Sequence, residues 1–149
     1  MIYLGADHRG FLLKEKIKEH LRSQNVEFID LGAKKYVKED DYPLIAIKLA
    51  EVVVKDYGSL GILICGSGAG ATISANKVNR ARAALCFSPD QIRAARHDDD
   101  INISCLSANA VSDEDNLIIV DTFLSTLFGA EERYIRRLRQ ITDYESQKC

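Results

Sequence analysis

The chain has 149 residues, 46% of them hydrophobic and 28% charged, which fits one domain with its own core and excludes a disordered chain. A fold of this length buries roughly 70% of its unfolded surface, so it does not depend on a metal or disulfide staple. A net charge of −2 and a pI of about 5.9 supply no bulk field for nucleic acid or an anionic membrane, and no apolar run reaches about 18 residues.

Ile2-Tyr3-Leu4 reads as a first strand cut off by Gly5. Leu13, Ile17 and Leu21 then recur at helical spacing among lysines and glutamates, the pattern of an amphipathic helix. A second strand is expected over Val26–Leu31, closed by Gly32. Asp40-Asp41-Tyr42-Pro43 opens the next helix, with Pro43 near its first turn and Ile45, Leu49 and Val52 or Val53 on one face. Leu60–Cys65 is almost continuously apolar, as a strand covered on both faces should be. A short helix from about Ala69 to Lys77 follows. Ala81–Phe87 and Ile101–Leu106 read as strands on either side of a helix that begins at a Ser88-Pro89-Asp90 cap. Two helices, Asp113 to Phe128 and Ala130 to about Tyr144, complete the chain.

Strand–helix alternation of this kind predicts an α/β fold: one domain over 1–149, a Rossmann-like three-layer sandwich around a five-stranded, mostly parallel sheet. Ligands of such sheets bind beyond the carboxyl ends of the strands. Chemistry is therefore expected in the loops after Leu4, Cys65 and Leu106.

The loop after the third strand, Cys65-Gly66-Ser67-Gly68-Ala69-Gly70, is the most informative of these. Alternate glycines let backbone N–H groups turn inward as a concave anion site, and a helix N-terminus follows. The spacing differs from the dinucleotide fingerprint and no P-loop lysine follows, which argues against a nucleoside triphosphate. The four cysteines show no CxxC pair and no zinc-type cluster, so reduced thiols of a cytoplasmic protein are expected. Cys86 and Cys105 sit inside apolar strands and Cys149 is terminal. For Cys65 two readings stay open on position alone: a small buried hydrophobe, or a nucleophile or base whose pKa the adjacent N–H groups lower. Asp7-His8 follows the first strand and so shares the edge of Cys65. Arg133 and Arg137 are i, i+4 neighbours, able to fork a phosphate or simply to form a solvated basic face.

From Gly5-Ala6-Asp7-His8 to the last helix, the sequence resembles the ribose-5-phosphate isomerase B family, which includes galactose-6-phosphate isomerase subunits. Ile64-Cys65-Gly66-Ser67-Gly68-Ala69-Gly70 carries most of the likeness. Asp41-Tyr42-Pro43, Ala75-Asn76-Lys77-Val78, Ala81-Arg82-Ala83-Ala84-Leu85-Cys86 and the Arg133…Arg137 pair add to it. The resemblance implies a metal-free aldose–ketose isomerase that needs no cofactor and works through an enediolate. Cys65 would be the base between C1 and C2, and Ser67 would move protons among the sugar oxygens. The N–H groups of Gly66, Gly68, Ala69 and Gly70 would hold the enediolate. Asp7 would bind sugar hydroxyls or help open the ring, and His8, Arg133 and Arg137 would take the phosphate. A homodimer, or a dimer of dimers, with sites shared between subunits is implied too.

One stretch departs from the family. Where a His-Asn-Asp pattern is usual, this chain has Asp98-Asp99-Asp100, with His97 one residue early. Asp98 is the aligned catalytic position, His97 its candidate substitute and Asp99 an aligned substrate contact; a solvated acidic turn is the bland alternative. Asn109 stands where many members carry a phosphate-binding arginine. The competing functions are a six-carbon sugar-phosphate isomerase, a non-catalytic sugar-phosphate-binding module and, more remotely, a redox-sensing cysteine protein.

Overall fold

The computed structural model describes residues 1–147; Cys149 lies outside them. Among the described residues the order is β1 (Ile2–Ala6), α1 (Phe11–Ser23), β2 (Phe28–Asp30), α2 (Tyr42–Lys55), β3 (Leu60–Cys65), α3 (Ala69–Ala75), β4 (Ala83–Leu85), α4 (Pro89–Asp99), β5 (Ile103–Ser107), α5 (Asp113–Ser125) and α6 (Glu132–Ser146). The five strands form one sheet in the order β2-β1-β3-β5-β4, and each neighbouring pair is parallel. The expected α/β class and five-strand count hold. The sheet is wholly parallel.

Side-chain alternation along the strands divides the core in two. Leu4, Ala6, Ile62, Ile64 and Leu106 meet Leu13, Ile17 and Leu21 of α1, Ile92 of α4 and Ile119, Val120 and Phe123 of α5. Tyr3, Leu63, Cys65, Ile103 and Cys105 face Ala46, Leu49, Ala50 and Val53 of α2 and Ala71 and Ala75 of α3. Cys65 thus lies on the face covered by α2 and α3.

Several boundaries differ from the sequence reading. Gly5 does not end β1, because Gly5 and Ala6 both pair with β3, opposite Leu63 and Ile64. The edge strands β2 and β4 are shorter than expected, each having one partner to sustain its ladder. Cys86 consequently lies just past β4, still buried. The Ser88 cap is present: its Oγ accepts the Gln91 N–H.

Lys14 breaks the amphipathic pattern of α1. It is fully buried, and its Nζ donates to both Asp30 oxygens, at 3.0 and 2.8 Å, and to the Ala33 carbonyl at 2.7 Å. Those three bonds use all three ammonium donors and tie the start of the 31–41 loop to the body. Asp30 pays a desolvation penalty that would raise its pKa, but bonds from Lys14, Lys18 and the Gly32 N–H together hold it below the usual carboxylate range. Its contribution to stability is therefore present above the unfolded value near 4 and fades as pH falls below it. Lys14→Ala should cost roughly 3 kcal/mol in urea unfolding at pH 7, the low end for a broken buried pair because Lys18 remains; a loss below ~1 kcal/mol would mean the pair is not needed.

Candidate active site

Parallel pairing brings the ends of β1, β3 and β5 to one edge. Asp7 N–H donates to the Ile64 carbonyl at 3.2 Å, which locks the turn after β1 beside Cys65. Cys65 pairs with Ser107, the last residue of β5. The Gly66 carbonyl accepts from Ser107 Oγ at 2.8 Å and from Asn109 N–H at 3.0 Å, which fixes the glycine loop to the loop after β5. Gly68 has φ +79°, the left-handed conformation that a side chain disfavours, and it turns the chain into α3. Ser67 is exposed, and its Oγ accepts the Ala69 N–H at 3.3 Å.

Cys65 and Asp7 are both buried at this edge, 6% and 5% exposed. Burial pushes the thiol pKa up, and a hydrogen bond to the Asp7 carboxylate pushes it up further; N–H groups of Gly68 and Ser67 pull the other way without prevailing. The expectation of a lowered thiol pKa is thereby corrected. α3 has only seven residues, so its dipole end is small beside the cost of a buried thiolate next to a carboxylate. Burial alone pushes Cys86 up to about 11, and mainly burial takes Cys105 up to about 12. Cys65 differs from both in having backbone N–H donors aimed at its sulfur, where, among the described residues, Cys105 has only the Thr72 hydroxyl and Cys86 has none.

His8 is held from outside the loop. Asp40 Oδ1 accepts its backbone N–H at 2.7 Å and lies 2.8 Å from its Nδ1, while the Tyr36 ring meets it edge-on. Tyr42, at the start of α2, covers the glycine loop: a Cβ on Gly70 would stand 2.5 Å from its ring. The sequence reading gave Asp40 and Tyr42 no site role. The Asp41-Tyr42-Pro43 triplet signalled only a helix start and a family likeness.

The remaining candidates lie at the opposite edge. His97, Asp98 and Asp99 form the last turn of α4, a few residues before β5 begins. Cys65 pairs with the end of β5, four residues after Ile103, so at about 3.3 Å per residue the two groups are separated by roughly 13 Å or more. His97 Nδ1 is 2.7 Å from Asp98 Oδ1, its ring packs on Tyr134, and its carbonyl accepts the Gly129 N–H at 2.8 Å. Hydrogen bonds from His97 and Tyr134 hold Asp98 below the usual carboxylate range. Arg133 bonds Glu131 at 2.9 Å and the Tyr134 hydroxyl at 2.8 Å; Arg137 is exposed one turn along α6. A cleft of about 530 Å³ also opens at that edge, beside Tyr57, Arg82, Arg96 and Asp100. Arg82 and Arg96 are tied to Asp100, and the cleft contains no part of the Cys65 cluster. Within one chain the predicted site is two half-sites.

Residues 2–141 match the family model described as Ribose/Galactose Isomerase. The chain belongs to this family. It is 41% identical over 147 residues to the probable ribose-5-phosphate isomerase B of Mycoplasma genitalium, covering 98% of this chain and 96% of that protein. Identity to ribose-5-phosphate isomerase B of Mycobacterium tuberculosis is also 41%, over 97% of this chain and 89% of the relative. The crystal structure of the Mycoplasma genitalium enzyme with bound ribulose-5-phosphate superposes with a TM-score of 0.93, over 97% of this chain and 95% of that one at 41% identity. Family membership thus covers both edges of the sheet.

The thiol chemistry is directly measurable. Alkylation of Cys65, followed by peptide mass spectrometry against pH, should have its midpoint above the ordinary thiol value of about 8.5. Asp7→Asn should move that midpoint down, because it removes the charge that opposes the thiolate. A midpoint below the ordinary value in the parent protein would contradict the balance described.

Proposed function

We propose that this chain interconverts D-ribose 5-phosphate and D-ribulose 5-phosphate through an enediolate, with Cys65 as the base. One observation carries the reading: a thiol at the end of β3 that meets Asp7 and the N–H groups of Ser67 and Gly68, in a chain that matches ribose-5-phosphate isomerase B proteins over nearly its whole length. Starting from the aldose, Cys65 takes the C2 proton and, after exchange with solvent, delivers a proton to C1. The hydroxyl proton on the C2 oxygen moves to the C1 oxygen, with Ser67 as its carrier. N–H groups of Gly66, Gly68, Ala69 and Gly70 face the developing oxyanion, each such donor being worth about 3 kcal/mol of barrier. The S–H already bonded to Asp7 gives the thiol proton an acceptor when the thiolate is needed. Asp7 also binds sugar hydroxyls, and His8 takes the phosphate from the same edge.

His97, Asp98, Asp99, Arg133 and Arg137 reach a substrate at Cys65 only from a second copy of the chain. The state of α6 supports that arrangement: Tyr134 is its one buried residue among those described, and Ile135, Ile141 and Tyr144 are exposed apolar or aromatic positions. A homodimer with two shared sites places these residues against the partner's glycine loop. Among the described residues no helix is long and apolar enough to cross a membrane. A reducing, cytoplasmic setting keeps Cys65 available as a thiol.

Two measurements test the reading. kcat/KM for ribose 5-phosphate should exceed that for allose 6-phosphate or galactose 6-phosphate; the reverse order assigns the chain a six-carbon substrate. Co-refolding Cys65→Ala with Arg137→Ala protomers should restore about a quarter of parent activity, because half of the randomly paired dimers then hold one intact site. No gain over the separate variants would contradict the shared site.

A further inference from the structure

Arg9 has no role in the site described above, yet it lies against its central loop. A Cβ built on Gly66 would stand 2.6 Å from Arg9 Nε, 2.8 Å from Cδ and 2.9 Å from Cζ. The guanidinium thus runs across the one peptide that also accepts bonds from Ser107 and Asn109. Arg9 is exposed, and among the described residues its guanidinium makes no hydrogen bond or ion pair. Several other arginines are committed: Arg82 and Arg96 to Asp100, Arg93 to Asp90 and Arg133 to Glu131.

Acidic groups are present nearby but engaged or distant. A cleft of about 480 Å³ beside Arg9 is also lined by Glu15, Lys16, Glu19, Ala108 and Asp113. Asp113 pairs with Lys16, and Glu15 pairs with Lys18. Glu19 stands eight residues into α1, about 12 Å along its axis. An unpaired guanidinium presents a planar fork of donors suited to two oxygens of one anion. Here that fork follows His8 in the chain and rests on the loop after Cys65.

We infer that Arg9 binds the phosphate of the substrate, supplying a guanidinium from the same protomer as Cys65. The inference rests on the sugar-phosphate reading above. It adds a cation to His8 on an edge where Asn109 is neutral, and Gly66 has the role of leaving room for the arginine as well as shaping the loop.

The test is steady-state kinetics on ribose 5-phosphate with Arg9→Gln and Arg9→Glu in the full chain, together with competitive inhibition by inorganic phosphate. Arg9→Gln should raise KM and the phosphate inhibition constant together, by about tenfold, with any fall in kcat smaller than the rise in KM. Arg9→Glu should raise both further. Unchanged melting temperatures would separate this from a folding defect, since Arg9 is exposed. KM and the phosphate inhibition constant both remaining within twofold of the parent would overturn the inference and leave Arg9 a solvated side chain. Should the parent chain fail to isomerise ribose 5-phosphate, the functional reading falls separately. Calorimetric titration of inorganic phosphate into parent and Arg9→Gln protein then decides the arginine's role alone.

Discussion

The polarity of the sheet is the constraint on which everything else depends. All five strands point the same way, so each strand-to-helix loop emerges at one edge and each helix returns the chain to the other. Cys65, Asp7, His8 and Asn109 are together because each lies at or just past the end of a strand. His97 and Asp98 are apart from them because α4 must finish where β5 starts. No side-chain rotation bridges that gap. On the proposed function, the site is complete only when two edges from two chains meet, and the exposed face of α6 is the surface proposed to bring them together.

At the catalytic edge two electrostatic demands oppose each other. A base must lose its proton, and burial beside a carboxylate resists that loss. The protein keeps both features: Asp7 and burial hold the proton on sulfur, while Gly68 and Ser67 direct N–H groups at the same atom. The thiol is thus held protonated among N–H groups that would also stabilise its anion. Asp7 connects the two, because it accepts the S–H bond and also anchors the turn after β1 through the Gly10 N–H at 2.9 Å.

Sequence made part of this visible. β3 is read to the residue because a strand buried on both faces has no alternation to blur its limits, and a glycine loop stops it sharply. The glycine loop itself is legible, since its backbone conformation dictates its residue types. The edge strands β2 and β4 look longer in sequence than they are, because their apolar neighbours continue past the last ladder bond. Lys14 reads as one of many solvent-facing lysines until Asp30 and the Ala33 carbonyl close around it. Asp40, Tyr36 and Tyr42 reach the site through tertiary placement and have no local pattern to mark them. The position of His97 on a helix end is predictable, but its distance from Cys65 follows only from the strand order.

The proposed isomerisation depends most on Cys65 acting as the base. Conversion of ribose 5-phosphate in deuterated buffer, followed by NMR, should place solvent deuterium at C1 of the ribulose 5-phosphate formed. Cys65→Ala should abolish both the exchange and the conversion while the protein stays folded. Conversion by Cys65→Ala at the parent rate would contradict the account.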